Sequence, residues 1–391
     1  MSEWKEVSLS ELGKTITGKT PSSQYPEDFG DEVPFITPSD SFEKKYISRS
    51  ERYLSRLGSD RLKDKIISSD SIMVTCIGSA MGKVAKNSLP SVTNQQINSI
   101  IVNENFDSDY IYYLFKNNYA VFRNAASGST AIPILNKTDF DNLRFKVELN
   151  LNEQRKMVSI LSTIDDKIEI NNQINQELEA MAKTLYDYWF VQFDFPDQNG
   201  KLYKSSGGKM VYHPELKREI PEGWGVEKLS HFLTIKNGKD HKHLQDGKFA
   251  VYGSGGIMRT VADYLYSGES ILFPRKGTLN NVMYVNEKFW TVDTMFYSEV
   301  NKNTSALYVF YSVKDIDFNK LNTGTGVPSM TSSILYDLNI VVPEENILEK
   351  FNTVVKRNYE TIKLNNIQNQ ELTQLRDWLL PMLMNGQVKV E

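Results

Sequence analysis

The chain contains itself twice, and that repetition limits what it can fold into more than any other feature. Asn171-Asn172-Gln173-Ile174-Asn175-Gln176-Glu177-Leu178 returns as Asn365-Asn366-Ile367-Gln368-Asn369-Gln370-Glu371-Leu372, 194 residues later. The echo extends backwards. Gly128-Ser129-Thr130 with Pro133 answers Gly324-Thr325-Gly326 with Pro328, and Leu143 answers Leu338. Ser71-Ile72 with Gly78 answers Ser270-Ile271 with Gly277. Trp4, Leu9, Ser10, Gly18 and Lys19 answer Trp224, Leu229, Ser230, Gly238 and Lys239. The offset falls from 220 at the start to 194 at the end, so the first copy holds about 26 more residues between shared landmarks. Each copy therefore has a matched beginning, a matched helical end and a largely unmatched middle. A repeated framework around a divergent middle points to two related readers with different targets.

At 391 residues the chain is long enough for two or three domains with real cores. Hydrophobic content of 40% and charged content of 24% are those of a soluble globular protein. No run reaches the eighteen-odd apolar residues of a membrane span, and the opening Met1-Ser2-Glu3-Trp4-Lys5 lacks a signal-peptide pattern, so a cytoplasmic protein is expected. The single cysteine, Cys76, excludes an internal disulfide and reads as a small core residue of a strand. The net charge of −4 argues mildly against nucleic acid, although a whole-chain sum can hide a local basic surface.

Residues 1 to about 150 read as short strands, Gly/Pro/Ser loops and one or two helices, without regular βαβ alternation. Val33–Pro38 and Ile72–Ile77 look like strands bounded by turn chemistry, and Asp109–Asn118 looks like a helix opened by an Asp109 cap. From about Asn152 the pattern changes. Met157, Ile160, Leu161, Ile164, Ile168, Ile174, Leu178, Met181 and Leu185 form one apolar stripe with Asn171 inside it, and no Pro or Gly intervenes before Pro196. The second copy gives Phe351, Val354, Val355, Ile362, Leu372, Leu375 and Leu379, interrupted by Asn358 and Asn365. Two matching stripes in one chain make each the natural partner of the other. The expected seam is Met157, Ile164, Asn171, Leu178 and Leu185 against Phe351, Asn365, Leu372 and Leu379, with the two asparagines fixing register. Phe193 to Trp224, rich in Pro and Gly, reads as an ordered surface connector.

The fold class that follows is α+β: two similar domains and two long helices whose stripes pair as a coiled coil, a pseudo-two-fold tandem repeat. The segments are 1–150, the first domain; 151–192, a central helix; 193–345, the connector and second domain; and 346–391, a C-terminal helix.

Catalytic signatures are missing. No Gly-rich loop has phosphate-binding spacing, and Tyr252-Gly253-Ser254-Gly255-Gly256 does not open a helix after a strand. His241-Lys242-His243 lacks the further ligands of a metal site, and no Ser or Cys motif stands beside a histidine. The polar loops instead suit a binding surface. Lys19, Ser79, Lys83, Gln95, Gln96, Ser129 and Thr130 in the first copy, with Lys239, Ser254, Arg275, Lys276 and Thr325 in the second, are the candidate DNA contacts. Gln95, Gln96 and Arg275 carry paired donors and acceptors suited to base edges, while Lys83, Lys239 and Lys276 suit phosphates.

The two NNxxNQEL segments, Trp189-Phe190-Val191-Gln192-Phe193-Asp194-Phe195-Pro196, Lys204-Ser205-Ser206-Gly207-Gly208 and Ile220-Pro221-Glu222-Gly223-Trp224 are shared with a known family. With the tandem plan, they make the whole chain resemble the specificity subunit of a Type I restriction–modification enzyme. The resemblance implies a non-catalytic DNA-binding subunit whose two domains each read half of a bipartite asymmetric site. It implies target recognition domains in 1–150 and 193–345, and spacer helices, 151–192 and 346–391, that pair as an antiparallel coiled coil and dock two methyltransferase subunits, with restriction (translocase) subunits joining that core. It implies no cofactor or metal on this chain, S-adenosylmethionine and ATP being bound by the partners. Two other readings stay open: the recognition subunit of a related bifunctional restriction enzyme, and a protein-only coiled-coil scaffold.

Overall fold

The structure is a computed structural model that describes residues 3–125, 133–197, 199–301, 306–324 and 326–390. It divides into two units, Met1–Asn171 with Asn366–Glu391, and Asn172–Asn365. Each unit holds a strand-rich domain and a segment of each of two long helices. The central helix, Leu151–Tyr186, has 36 residues, about 54 Å at 1.5 Å per residue, and closes in a wider turn over Asp187–Val191. The C-terminal helix, Glu345–Met384, has 40 residues.

In the first unit, Trp4–Ser8 pairs antiparallel with Arg144–Glu148, bringing the two ends of the domain together. A five-stranded sheet follows in the order Gly13–Thr17, Ile97–Val102, Ile72–Thr75, Val84–Asn87, Tyr46–Ile47; its last junction is parallel and the others antiparallel. All four residues of Ile72–Thr75 are buried, as a central strand covered on both faces requires. The sheet packs against Ser108–Asn117, a helix that buries Tyr110 through Phe115 without a break. Its cap is Asp107, whose carboxylate accepts from the amides of Asp109 and Tyr110, and not Asp109 as the sequence suggested. Asp109 is instead engaged by Lys86 and Lys45. The same core takes Met157 and Leu161 from the central helix and Leu380, Leu383 and Met384 from the C-terminal one, alongside Val7 and Leu9.

The second unit repeats this plan. Gly225–Lys228 pairs with Asn339–Val342. The sheet runs Leu233–Asn237, Met295–Val300, Tyr266–Pro274, Met283–Thr291, Asp246–Gly253, Gly256–Val261. Strand by strand this is the first sheet, with the same parallel fourth junction and one more hairpin strand at the edge. Among the described residues, the second domain has no counterpart of the first's other five-stranded sheet, built from Phe29–Gly30, Tyr53–Leu54, Val33–Ile36, Ser91–Thr93 and Ile66–Ile67. That sheet lies within the unmatched middle.

The connector is less superficial than its Pro and Gly content suggested. Phe193, Phe195, Ile220 and Trp224 are buried, with the Phe195 ring stacked 4.7 Å from Tyr203 and 4.9 Å from Trp224. Met210–His213 and Arg218–Pro221 form a hairpin within it.

The helix stripe also differs from expectation, by one position toward the C-terminus at two places in each helix. In the central helix the inward positions are Met157, Leu161, Ile164, Ile168, Asn171, Asn175, Leu178, Ala182 and Leu185, steps of three and four throughout. Ile174 and Met181, assigned to the stripe from their hydrophobicity, are 40% and 59% exposed, and their neighbours Asn175 and Ala182 are buried. In the C-terminal helix Phe351, Val355, Asn358, Ile362, Asn365, Asn369, Leu372, Arg376, Leu379 and Leu383 keep the same rhythm. Val354 and Leu375 fall outside it and are exposed. Asn358 and Asn365 therefore belong to the seam of the second helix and do not interrupt it. Within each unit the two helix segments run antiparallel: in the first, Asp165 faces Arg376 and Asn171 faces Asn369; in the second, Asn175 faces Asn365 and Leu178 faces Asn358.

Candidate nucleic-acid interface and spacer

The strand ends of each domain are tied into a loop cluster by backbone hydrogen bonds, and the two clusters use corresponding bonds. Lys19 N donates to Thr93 O at 2.8 Å, and Lys239 N to Thr291 O at 2.9 Å. Gly78 N donates to Pro133 O and Gly277 N to Pro328 O, both at 3.1 Å. Leu135 N donates to Cys76 O and Met330 N to Arg275 O, both at 2.9 Å. The matched glycines have a steric reason. A Cβ on Gly18 would sit 2.2 Å from the Thr93 and Asn94 carbonyl oxygens, and one on Gly238 2.0 Å from the Val292 oxygen. Gly78 and Gly277 take left-handed φ values of 82° and 91°.

On the first cluster, Lys19 and Gln95 are exposed, and Gln95 Oε1 accepts from Thr20 Oγ1 at 2.6 Å. Gln96 is half-buried, its side-chain oxygen accepting from Asn94 Nδ2 and its carbonyl from Cys76 N, so it braces the loop. Ser79 is exposed in the turn before Gly82. Lys83 lies 2.6 Å from Glu43, whose carboxyl is held below its usual range by that hydrogen bond and charge. Cys76 is buried, and burial pushes its thiol up to about 12 despite hydrogen bonding from Asn98. On the second cluster, Lys239 is exposed while its carbonyl accepts from the Trp290 indole at 2.9 Å. Arg275 is exposed with its guanidinium carbon 5.9 Å from the Phe296 ring centre. Lys276 is exposed and bridged to Ser329, and the Ser254 carbonyl accepts from Asn281. Ser129, Thr130 and Thr325 lie outside the described residues. The structure thus brings Lys19 to the Gln95 loop, and Lys239, Arg275 and Lys276 to one loop, residues 291–295. Lys83 is turned to an acidic partner.

Met157, Ile164, Asn171 and Phe351 are buried, and Leu178, Leu185, Asn365, Leu372 and Leu379 are half-buried. Asn171 Nδ2 donates to Gln368 Oε1 at 2.8 Å and Asn369 Oδ1 at 2.9 Å. Asn365 Nδ2 donates to Asn175 Oδ1 at 2.8 Å. The 194-residue offset maps one Asn–Asn contact onto the other. Asn175 and Asn369 were missed by the hydrophobic stripes, although both stand in the Asn-Asn-x-x-Asn-Gln-Glu-Leu repeat. So was the helix repeat Tyr110-Ile111-Tyr112-Tyr113-Leu114-Phe115-Lys116, which returns as Tyr308-Val309-Phe310-Tyr311-Ser312-Val313-Lys314. Tyr113 donates to Asp165 on the central helix at 2.6 Å, and Tyr308 to Val341 O at 2.7 Å.

Among the described residues, no group of three or more His, Cys, Asp or Glu is placed to hold a metal ion. Among the same residues, no helix is long and apolar enough to cross a membrane.

Two domains of one topology, each with a loop cluster built on the same bonds, joined in sequence to two long helices with an asparagine-marked seam, define a tandem recognition protein. The chain belongs to the family described as the Type I restriction modification DNA specificity domain, which matches residues 1–180 and 221–374. The Type I restriction enzyme MjaIX specificity subunit of Methanocaldococcus jannaschii is 29% identical over 422 aligned positions, covering 100% of this chain and 94% of that one. The Type I restriction enzyme HindI specificity subunit of Haemophilus influenzae is 37% identical over 172 positions, 42% of this chain and 37% of that one. In fold, the chain is similar to the crystal structure of the S subunit of a Type I restriction–modification system from M. genitalium, with a TM-score of 0.62 at 19% identity over 98% of this chain and 96% of that chain.

Proposed function

We propose that this chain supplies sequence recognition to a Type I restriction–modification complex, each domain reading one half of a bipartite, asymmetric DNA site. The observation that carries this reading is the loop cluster built twice on corresponding backbone bonds with different side chains at its tips. A shared backbone with exchanged side chains is what two half-sites of different sequence need, because base edges are read by side-chain donors and acceptors.

The helices act as spacer and docking surface for two methyltransferase subunits. Ile170, Ile367, Leu375 and Trp378 in the first unit, and Ile174, Met181 and Leu364 in the second, are large apolar side chains left exposed on helix faces outside the seam. Two such faces, related by the internal repeat, suit two copies of one partner. Methyl transfer and DNA cleavage then belong to partner subunits, which bind S-adenosylmethionine and ATP, and the partners' surfaces supply much of the charge that a chain of net −4 does not.

Domain exchange tests the reading. Replacing residues 20–140 with the matching segment of a relative and selecting from a randomised duplex library should alter one half-site only. Replacing 240–330 should alter the other. A change in both half-sites from one exchange would sink it.

A further inference from the structure

The loop that joins the strands Met283–Thr291 and Met295–Val300 carries Asp293 at its tip. This loop is fastened on all sides. Thr291 O accepts from Lys239 N at 2.9 Å, and Thr294 O accepts from Arg275 N at 2.8 Å and Lys276 N at 3.2 Å. Val292 N donates to Tyr252 O at 3.1 Å, and Met295 N closes the turn onto Val292 O at 2.9 Å. The first domain builds the same loop between Ser91–Thr93 and Ile97–Val102: Thr93 O accepts from Lys19 N, and Gln96 O accepts from Cys76 N. Counting from those matched bonds, Asp293 stands where Gln95 stands, and both are exposed. Asp293 is an anion on a loop anchored by the backbones of three cationic residues. Among the described residues, Asp293, Lys239, Arg275 and Lys276 enter no ion pair.

A carboxylate in a basic cluster that meets DNA is repelled by every phosphate, so it lowers affinity unless it finds a donor. The donors a duplex offers in its major groove are the exocyclic amino groups, and an Asp or Glu accepts from cytosine N4. We propose that Asp293 is a specificity-determining residue of the second domain, accepting a hydrogen bond from a base amino group, cytosine N4, at one position of its half-site. This assignment rests on the reading of the chain as a DNA-recognition subunit. Gln95 holds the corresponding place in the first domain with an amide, which can both donate and accept. The same backbone thereby asks a different question of each half-site.

The test uses the full chain assembled with its methyltransferase subunits and a randomised duplex library, read by sequencing the bound fraction. The wild type selects cytosine at one position of the second half-site. The isosteric Asp293→Asn adds a donor, and shifts that position toward adenine, whose N6 and N7 an amide pairs with. Asp293→Ala loses the preference there, a change of roughly tenfold or more in relative selection, with the first half-site unchanged. If both variants leave every position as in the wild type, Asp293 reads nothing. If they raise affinity for all sequences alike, the carboxylate is a general repulsive charge and the assignment fails. A wild-type complex without sequence preference in the second half-site overturns the DNA reading of that domain itself, and the assignment with it.

Discussion

Arg376 Nη1 lies 2.9 Å from Asp165 Oδ1, a charge pair across the seam that the second unit does not repeat. The offset that maps one helix onto the other carries Asp165 to Tyr359 and Arg376 to Ala182, a ring and a buried methyl group. Both members of the pair are largely buried, at 16% and 12% side-chain exposure, and Asp165 also accepts from Tyr113. Burial, followed by the Asp165 charge, holds the Tyr113 phenol well above its usual range, so it remains a donor. Arg376→Leu leaves that buried carboxyl group with one partner fewer and is expected to cost about 3 kcal/mol. Urea denaturation of the full chain measures it; a loss under about 1 kcal/mol would show the pair to be solvated.

Adjacent residues on the central helix should behave oppositely. Ala182→Asp puts a charge where the side chain is 2% exposed and should cost about 3 kcal/mol or more. Met181→Asp, one residue away and 59% exposed, should stay within about 0.5 kcal/mol of the parent while weakening association with the methyltransferase subunits. Thermal melting separates the first effect, and co-elution with the partner the second.

The asparagine pairs make register a measurable quantity. Asn171→Ala and Asn369→Ala in a double-mutant cycle should show a coupling of about 0.5–1.5 kcal/mol. Inserting seven residues beside Ile174 keeps the heptad phase and displaces the contacts on one side of it. The expected result is a changed spacer between two unchanged half-sites, read by methylation mapping. An unchanged spacer would remove the helices from the role of ruler.

Stability of the first domain should depend on pH at both extremes. Lys86 is 1% exposed and meets Asp109, with Asp70 and Tyr46 Oη each at 3.1 Å, while Lys45 sits 2.8 Å from Asp109. Burial alone would lower the Lys86 pKa and raise that of Asp109, but their hydrogen bonds and charges outweigh it, so Lys86 is raised and Asp109 lowered. The depressed carboxylate contributes stability that is present above its unfolded value, roughly 3.9, and lost as pH falls through the lower folded value. The raised ammonium contributes stability that is complete below about 10.4 and lost as pH rises through its higher folded value. Urea midpoints taken from pH 3 to 11 should show both losses, and Lys86→Met should remove the alkaline one while costing about 3 kcal/mol at neutrality.

The tandem plan was readable because the matched residues are those for which few substitutes serve. Gly18 and Gly238 have no room for a Cβ, and Trp224 fills a core. The helix register was misread because hydrophobicity was taken as the sign of inwardness. Strict steps of three and four pass through Asn175 and Ala182, whereas Ile174 and Met181 turn their apolar chains outward. The cap at Asp107 was missed because Asp109's partners, Lys45 and Lys86, lie 64 and 23 residues away in sequence. The Glu43 partner of Lys83 was not legible for the same reason: it stands forty residues distant, outside any local pattern. Asp293 was missed because only the backbone bonds align it with Gln95.

The core of the first unit contains Leu380, Leu383 and Met384 beside Val7 and Leu9, and the backbone at Gly386 lies against the Trp4 indole. The second unit, Asn172–Asn365, is one uninterrupted stretch. On a ribosome the order of completion is therefore the reverse of the order of synthesis. When residue 365 is joined, the second unit has every part it needs, while the first, although made earlier, still waits for Asn366–Glu391. An interrupted translation product carries an unsealed N-terminal domain with Val7 and Leu9 short of their last neighbours, a ready substrate for proteolysis. Closing the core of the first domain therefore falls to Leu380, Leu383 and Met384, the part of the C-terminal helix farthest from Val7 and Leu9 in sequence.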